Sequence, residues 1–319
     1  MNDKVDTLRG LLADELGGEI TDLARLSAGA SRETWAFASG GEPLILQRNR
    51  GPGLNGEIDE PALLRHAHAG GVTVPAVVAS SATGDHPIGP SFTISRRVEG
   101  ESIARKILRD DEFAVARDRF VGDFARELAA IHALDPQPVS GFLALQDDPV
   151  QVQRSTFDMI GDPHPVFELA FRWLDEHRPA MGEPTVVHGD FRMGNFLVGA
   201  NGVTAVLDWE LAHRGDPVED LGWLCARAWR FGGAGAVGGL GSREELVEAY
   251  AAHGGREVSL DALRWWEVLA TLRWGVITMF MGAEYRSGTS PSMEQAAIGR
   301  RVVETEYDVL LLLRPELTQ

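Results

Sequence analysis

Leu8, Leu11, Leu12 and Leu16 recur every three or four residues through an otherwise charged opening stretch, the spacing of one apolar helical stripe. The period then shortens. Residues 26–39 read as two strands joined by the turn Ser27-Ala28-Gly29-Ala30-Ser31, with Thr34-Trp35-Ala36-Phe37 in the second. A third strand over 43–48 follows Gly40-Gly41 and carries Leu44-Ile45-Leu46. The Gly-, Pro- and Asn-rich segment 51–56 reads as loop. Leu63, Leu64 and Ala67 share a face of a helix predicted over 57–69, which Gly70-Gly71 ends. Strands are predicted at 72–79 and 91–98, with a loop between.

Beyond Gly100 the pattern becomes helical. Phe120, Phe124, Leu128 and Ile131 form a stripe over 118–134, and 165–177 is a further helix. Two short β-branched runs, 185–188 and 203–207, flank a loop at 189–201. From Leu221 onward the chain is mostly helical. This predicts an α+β chain of two lobes, a strand-rich one over 1–97 and a larger helical one over 98–319.

Composition narrows the classes. A 319-residue chain with 44% hydrophobic and 24% charged residues can bury its own core without disulfides or structural metal. The one cysteine, Cys225, excludes an intramolecular disulfide and reads as a buried thiol. A formal net charge of -17 argues against general nucleic-acid binding, which needs a basic surface. No apolar leader follows the N-terminus, and the most apolar run, 268–282, is interrupted by Arg273. The expectation is a cytoplasmic protein with no membrane and no nucleic-acid partner. Oligomeric state is not legible.

The chemistry concentrates in His188-Gly189-Asp190-Phe191-Arg192-Met193-Gly194-Asn195. An Asp and an Asn stand five apart on a loop, and Asp208 closes the apolar run Val203–Leu207. Protein kinases use this spacing: an Asp orients the attacking hydroxyl, and the Asn and a second Asp hold Mg²⁺. Phosphoryl transfer rests on positioning and charge neutralisation, which oxygen ligands at a strand–loop edge supply.

These segments resemble the aminoglycoside phosphotransferase family of kinase-like enzymes. Val187-His188-Gly189-Asp190 with Asn195 matches its catalytic loop, Leu207-Asp208-Trp209-Glu210 its metal-binding segment, and Gly215–Leu221 the element that follows. The wording is closest to the kinase-like domain fused to acyl-CoA dehydrogenases and its free-standing bacterial relatives. The resemblance runs from about Leu26 to Trp229. It implies a two-lobed protein-kinase-like fold with ATP between the lobes. Asp190 would be the catalytic carboxylate, and Asn195 and Asp208 the Mg²⁺ ligands. Arg192 would touch phosphate, or else form a surface ion pair. Asp216, Asp220 and His188 would brace the loop. The hinge receiving adenine would lie at 95–100, with Ser95 and Arg97 as its binding residues.

In the small lobe, Ser27, Gly29 and Ser31 align with the family's phosphate-covering turn, where glycine lets backbone N–H groups approach phosphate. Glu60 matches the acid that pairs with a third-strand cation, or is a first-turn acid favoured by the helix dipole. The expected cation falls at Gln47. Alternation puts Gln47 and Arg48 on opposite strand faces. The reading adopted is that Arg48, partnered by Glu60, anchors the phosphates, the alternative being a neutral Gln47.

Gly233-Ala234-Gly235-Ala236-Val237-Gly238 spells a dinucleotide fingerprint but follows a helix end rather than a strand, so it reads as a flexible loop. Trp265, Trp266 and Trp274 read as helical core first and acceptor wall second. The function expected is transfer of the ATP γ-phosphate to a small-molecule hydroxyl, hydroxyacyl-CoA-like or aminoglycoside-like. The rivals are a nucleotide-binding module with weak or no turnover, which the absent cation at Gln47 motivates, and a metal-dependent hydrolase using Asp190, Asp208, Asp216 and Asp220.

Overall fold

Leu8 and Leu12 are buried where helix α1 (Asn2–Leu16) lies on an antiparallel sheet, so the opening stripe pairs with a surface as its spacing requires. The computed structural model describes residues 2–28, 32–49, 58–82, 84, 86–289 and 292–314. The sheet contains β1 (Ile20–Ala28), β2 (Arg32–Ser39), β3 (Glu42–Asn49), β4 (Val77–Ser81) and β5 (Phe92–Arg96) in the order β1-β2-β3-β5-β4. Between β3 and β4 comes helix α2 (Glu60–Ala69), which Asp59 caps by accepting from the Ala62 N–H.

Register sorts this sheet into two unlike faces. Trp35, Leu46 and Ile94 are cross-strand partners, as are Phe37 and Leu44, and this face packs with Leu8 and Leu12 of α1. The other face carries Thr34, Gln47 and Thr93 in one row and Ala36, Ile45 and Ser95 in the next. Val77 pairs with Ser95 and packs against the helical core, so this small and polar face is turned toward the larger lobe.

The larger body contains α3 (Ala104–Arg109), α4 (Ala114–His132), α5 (Pro149–Ile160), α6 (Pro165–Glu176) and α7 (Val218–Cys225). These are followed by α8 (Arg243–Ala252), α9 (Leu260–Ser287), α10 (Met293–Gly299) and α11 (Val302–Leu313). The short strands β6 (Thr185–Val187) and β9 (His213–Gly215) pair, as do β7 (Phe196–Gly199) and β8 (Gly202–Val206). The 28-residue α9 is the central post; Trp265 and Trp266 are buried in its first half, as core. Where α7 crosses it, Gly222 sits so close that a Cβ there would lie 2.6 Å from the Trp266 carbonyl carbon.

Several local expectations change. The segment 72–76 is not strand. Its Thr73 donates from N and Oγ1 to Glu127 of α4 (2.9 and 2.7 Å) and accepts from the Val206 N–H (2.7 Å). Those bonds to the larger lobe replace sheet pairing. The buried face of α2, though within residues 1–97, likewise joins the helical core. Helix α5 is an addition, announced in retrospect by Asp148 as N-cap, Pro149 and Gly161 in the left-handed conformation. The glycine run at 232–241 is packed rather than a flexible loop. Gly235 and Val237 bridge to Gly239 and Gly241, Val237 is fully buried, and a Cβ on Gly233 or Gly235 would strike backbone at 2.3 or 2.0 Å.

Candidate active site

Strand β6 ends at Val187 and delivers His188–Asn195 to the larger lobe's edge. The turn is made by Gly189 at φ 77°, where a Cβ would lie 2.3 Å from the Leu211 carbonyl oxygen. Asp220 of α7 then clamps it: Oδ2 accepts from the His188 N–H (2.8 Å) and Oδ1 from the Gly189 N–H (2.9 Å). Burial alone would raise the Asp220 carboxyl; His132, His188 and the backbone donors hold it below the ordinary carboxylate range. His132 Nε2 reaches Asp220 at 3.2 Å, and its Nδ1 meets the Tyr250 hydroxyl at 2.7 Å.

His188 joins the two candidate loops. Its Nδ1 accepts from the Asp190 N–H (3.2 Å), so the proton sits on Nε2, which donates to the Leu207 carbonyl (3.0 Å) immediately before Asp208. Complete burial pushes its pKa down, against the pull of Asp220 and Asp190, and matches the neutral ring these bonds require. The Leu207 N–H donates to the Asn195 carbonyl (2.8 Å), a second tie between the segments. Asp208 adopts φ 66°, an uncommon conformation for a residue with a side chain and one found at sites the surroundings over-determine.

Asp190 is nearly buried, and its carboxylate receives three N–H donors. Oδ1 accepts from Arg192 Nε (2.9 Å) and Trp223 Nε1 (2.8 Å), and Oδ2 from Asn195 Nδ2 (2.6 Å). The Asn195 amide nitrogen also donates to the Asp190 carbonyl (2.9 Å), leaving Oδ1 as the acceptor atom of that amide. Arg192 is an ion pair, with Asp190, and is part-buried. Besides binding Asp190, its guanidinium stacks on Trp229, 4.4 Å from the ring centroid.

Asp216 accepts from the Gly182 and Val218 N–H groups (2.7 and 2.9 Å) and from Arg256 (2.6 Å). Asp220 and His188 therefore brace the catalytic-loop segment, while the backbone bonds of Asp216 go instead to the segment before β6 and to the start of α7. Behind them, Glu219 meets His213 Nε2 at 3.2 Å and Arg273 at 2.9 Å. Burial opposes charge on both partners of the His213–Glu219 pair, yet their mutual attraction raises the imidazole and lowers the carboxyl.

The small-lobe expectations fare unevenly. Gly29 and Ser31 lie outside the described residues, as does the Ser27 side chain; the Ser27 backbone pairs with Thr34. Gln47 lies on the sheet face turned toward the larger lobe. Arg48 does not. It stands on the α1 face, where Glu33 takes its Nε and NH2 (2.9 and 2.8 Å) and the Ile88 carbonyl takes NH1 (2.8 Å). The expected partnership of Arg48 with Glu60 is thus replaced by one with Glu33. The cause is register: Glu33 is directly opposite Arg48 across β2–β3. Glu60 opens α2 as a first-turn acid.

Ser95 is buried inside the sheet between β3 and β4. The Arg97 N–H is spent on the Pro43 carbonyl (3.0 Å), and its side chain leans on Glu99 (3.1 Å) in solvent. Neither of these groups is presented as the hinge residues were expected to be. The connecting segment begins at Val98 and is tied to the larger lobe. Thr204 Oγ1 donates to the Glu99 carbonyl (2.9 Å), and Glu101 pairs with Val198.

Sequence reasoning missed Trp223, Trp229, His132 and Tyr250. One signal was available: Asp220 and Trp223, three apart on α7, share a helix face, and both meet the catalytic loop.

Known proteins fit this geometry. Acyl-CoA dehydrogenase family member 10 of Mus musculus is 28% identical over 230 residues, a stretch that covers 68% of this chain and 21% of that protein. This chain therefore spans about a fifth of that relative's length. Among solved structures, a Ralstonia eutropha JMP134 protein assigned as an aminoglycoside phosphotransferase superposes with TM-score 0.75 at 18% identity, covering 97% of this chain and 98% of that one. Macrolide 2'-phosphotransferase MphH from Brachybacterium faecium gives TM-score 0.66 at 18% identity over 95% and 97% of the two chains. These likenesses establish the two-lobed kinase-like fold. Residues 22–266 match the family described as the phosphotransferase enzyme family (APH), and the chain belongs to that family of kinase-type enzymes.

Proposed function

We propose that this protein transfers the γ-phosphoryl group of ATP to a hydroxyl of a small molecule, with Asp190 orienting that hydroxyl. The observation carrying the proposal is the fixed carboxylate: three N–H donors hold Asp190 beside Asn195, whose backbone is bonded to the Asp208 segment. An acceptor O–H that donates to Asp190 would be turned so that an oxygen lone pair can meet the phosphorus, and Arg192, bonded to the same carboxylate, is the cation beside it. Mg²⁺ needs only one or two protein oxygens when phosphate and water complete its octahedron, and Asn195 and Asp208 are of the right chemistry. When bound, the ion neutralises charge on the phosphates.

The sheet face bearing Thr34, Ala36, Ile45, Gln47, Thr93 and Ser95 is the side on which the nucleotide fits, its small side chains leaving room for a flat base. On that face Gln47 supplies amide donors to the phosphates. Solved relatives include complexes with AMP-PNP and hygromycin B and with ADP and spectinomycin, which supports a nucleotide and a hydroxylated acceptor here. Because a relative is an acyl-CoA dehydrogenase family member, hydroxyacyl-CoA compounds join aminoglycosides among the acceptors to try. A nucleotide-binding module without turnover is the weaker reading, since Asp190, Asn195 and Asp208 are all retained. An ATP-consumption screen against hydroxyacyl-CoAs, aminoglycosides, sugars and amino alcohols tests the proposal. Acceptor-dependent ADP release is expected; nucleotide binding with no acceptor-dependent turnover would favour the module.

A further inference from the structure

We infer that Trp223 is a positioning residue for the transfer proposed above, and the inference rests on that reading. A carboxylate offers about four lone-pair directions. On Asp190 two are taken at Oδ1, by Arg192 Nε and Trp223 Nε1, and one at Oδ2, by Asn195 Nδ2. All three partners only donate through these atoms, so an arriving hydroxyl finds a single open direction, on Oδ2. The pair of donors on Oδ1 fixes which oxygen faces the acceptor.

The three donors differ in their other duties. In the proposed reaction Arg192 also serves phosphate and Asn195 metal, so each would share its hold on Asp190 with a second role. Trp223 has no such second duty. Its indole is 2% exposed and packs against Trp229 at 5.2 Å, and Arg273 lies over its face at 4.6 Å. Arg273 is in turn held by Glu219, Glu219 by His213, and His213 Nδ1 by the Leu211 carbonyl (2.9 Å). The chain of contacts runs from the loop after Asp208 back to Asp190 through side chains immobilised by burial. An indole N–H is also a neutral donor, so it fixes the carboxylate without competing for the charge of the phosphates.

Trp223→Phe keeps the ring and removes the donor. The expected result is a fall in kcat of about 10- to 100-fold, the scale on which supporting partners of a catalytic group act, with KM for ATP and nucleotide affinity within twofold of the parent. A folded Trp223→Phe protein with unchanged kcat overturns the inference, as does an equal fall in kcat and nucleotide affinity. If Trp223→Phe does not fold, the indole ¹H–¹⁵N spectrum of Asp190→Ala decides. One of the eight indole signals should move upfield and lose exchange protection, and eight unchanged signals would overturn it. Absence of turnover in the parent protein with every acceptor is a different outcome and sinks the phosphotransfer reading itself.

Discussion

Gln47 and Arg48 are adjacent in sequence and belong to different parts of the molecule. The Arg48 guanidinium is consumed by Glu33, a carboxylate that also binds Arg25 (3.0 Å) and the Trp35 indole (3.2 Å). Arg48→Ala is therefore expected to lower stability by about 2 kcal/mol, the worth of a partly buried charge-assisted pair, and to leave ATP affinity unchanged. Gln47→Ala should do the reverse: a small change in denaturation midpoint and weaker ATP binding. Titrating both variants with ATP and unfolding both in urea separates them; an ATP defect in Arg48→Ala would restore the discarded assignment. At Asp190 the expectation is different again. Asp190→Asn keeps the shape of the carboxylate but has only one acceptor oxygen for the donors that surround it. Transfer should be abolished while nucleotide binding survives, since the role proposed for Asp190 is on the acceptor hydroxyl and not on ATP. A variant with normal turnover at saturating ATP would remove Asp190 from that role.

Among the elements, α7 does more than its eight residues suggest. One turn of it delivers Glu219 to His213 and Arg273, Asp220 to the catalytic-loop backbone, Gly222 to α9 and Trp223 to Asp190. Asp220→Ala would leave the His188 and Gly189 N–H groups buried without partners. A loss of about 3–5 kcal/mol is expected, read as a shift in urea midpoint. The pH dependence has a definite sign at His188. Burial holds its folded pKa below the unfolded value of about 6.5, so the unfolded chain binds a proton that the folded chain refuses. This contribution is fully present above pH 6.5 and is lost as pH falls, by up to about 1.4 kcal/mol per pH unit. His213 runs the other way, its raised pKa favouring the fold below pH 6.5. Comparing parent with His188→Gln isolates the first effect: the variant should lose less stability between pH 7 and pH 5. An identical slope would mean that His188 takes up protons equally in the folded and unfolded protein.

Across the whole molecule, the two lobes are joined by specific polar bonds rather than by apolar packing alone. Thr73 reaches α4 through Glu127 and β8 through Val206, while Glu99 and Glu101 are tied to the β7–β8 hairpin. A nucleotide held between the lobes engages both bodies, and its binding energy adds to the stability of the native state. Mg²⁺ with ATP at a hundred times its dissociation constant is expected to stabilise the protein by about 2.7 kcal/mol. ATP without Mg²⁺ should do so far less if Asn195 and Asp208 hold the ion as proposed. Melting curves with ATP alone, with ATP and Mg²⁺, and with ATP and EDTA test this; equal shifts in all three would refute the metal assignment. Among the described residues no helix is long and apolar enough to cross a membrane.

Local order along the chain determined much of this protein. Helical stripes such as Phe120, Phe124, Leu128 and Ile131 recur with the period of the backbone itself, and α4 buries all four. Asp190, Asn195 and Asp208 were legible because a loop between two short strands brings near sequence neighbours together, whatever surrounds it. Asp220 was legible as a brace only through the family resemblance, since the N–H groups it holds lie 31 and 32 positions away. What the tertiary structure alone decided concerns partners distant in sequence. Glu33 rather than Glu60 meets Arg48 because the β2–β3 register puts it there, and a strand pattern by itself does not set register. Thr73 leaves the sheet for Glu127, 54 positions on, and Trp223 meets Asp190 from a separate helix, 33 positions on. Such contacts are fixed by how helices and sheet pack around one core, and single residues carry no mark of them until that packing is complete.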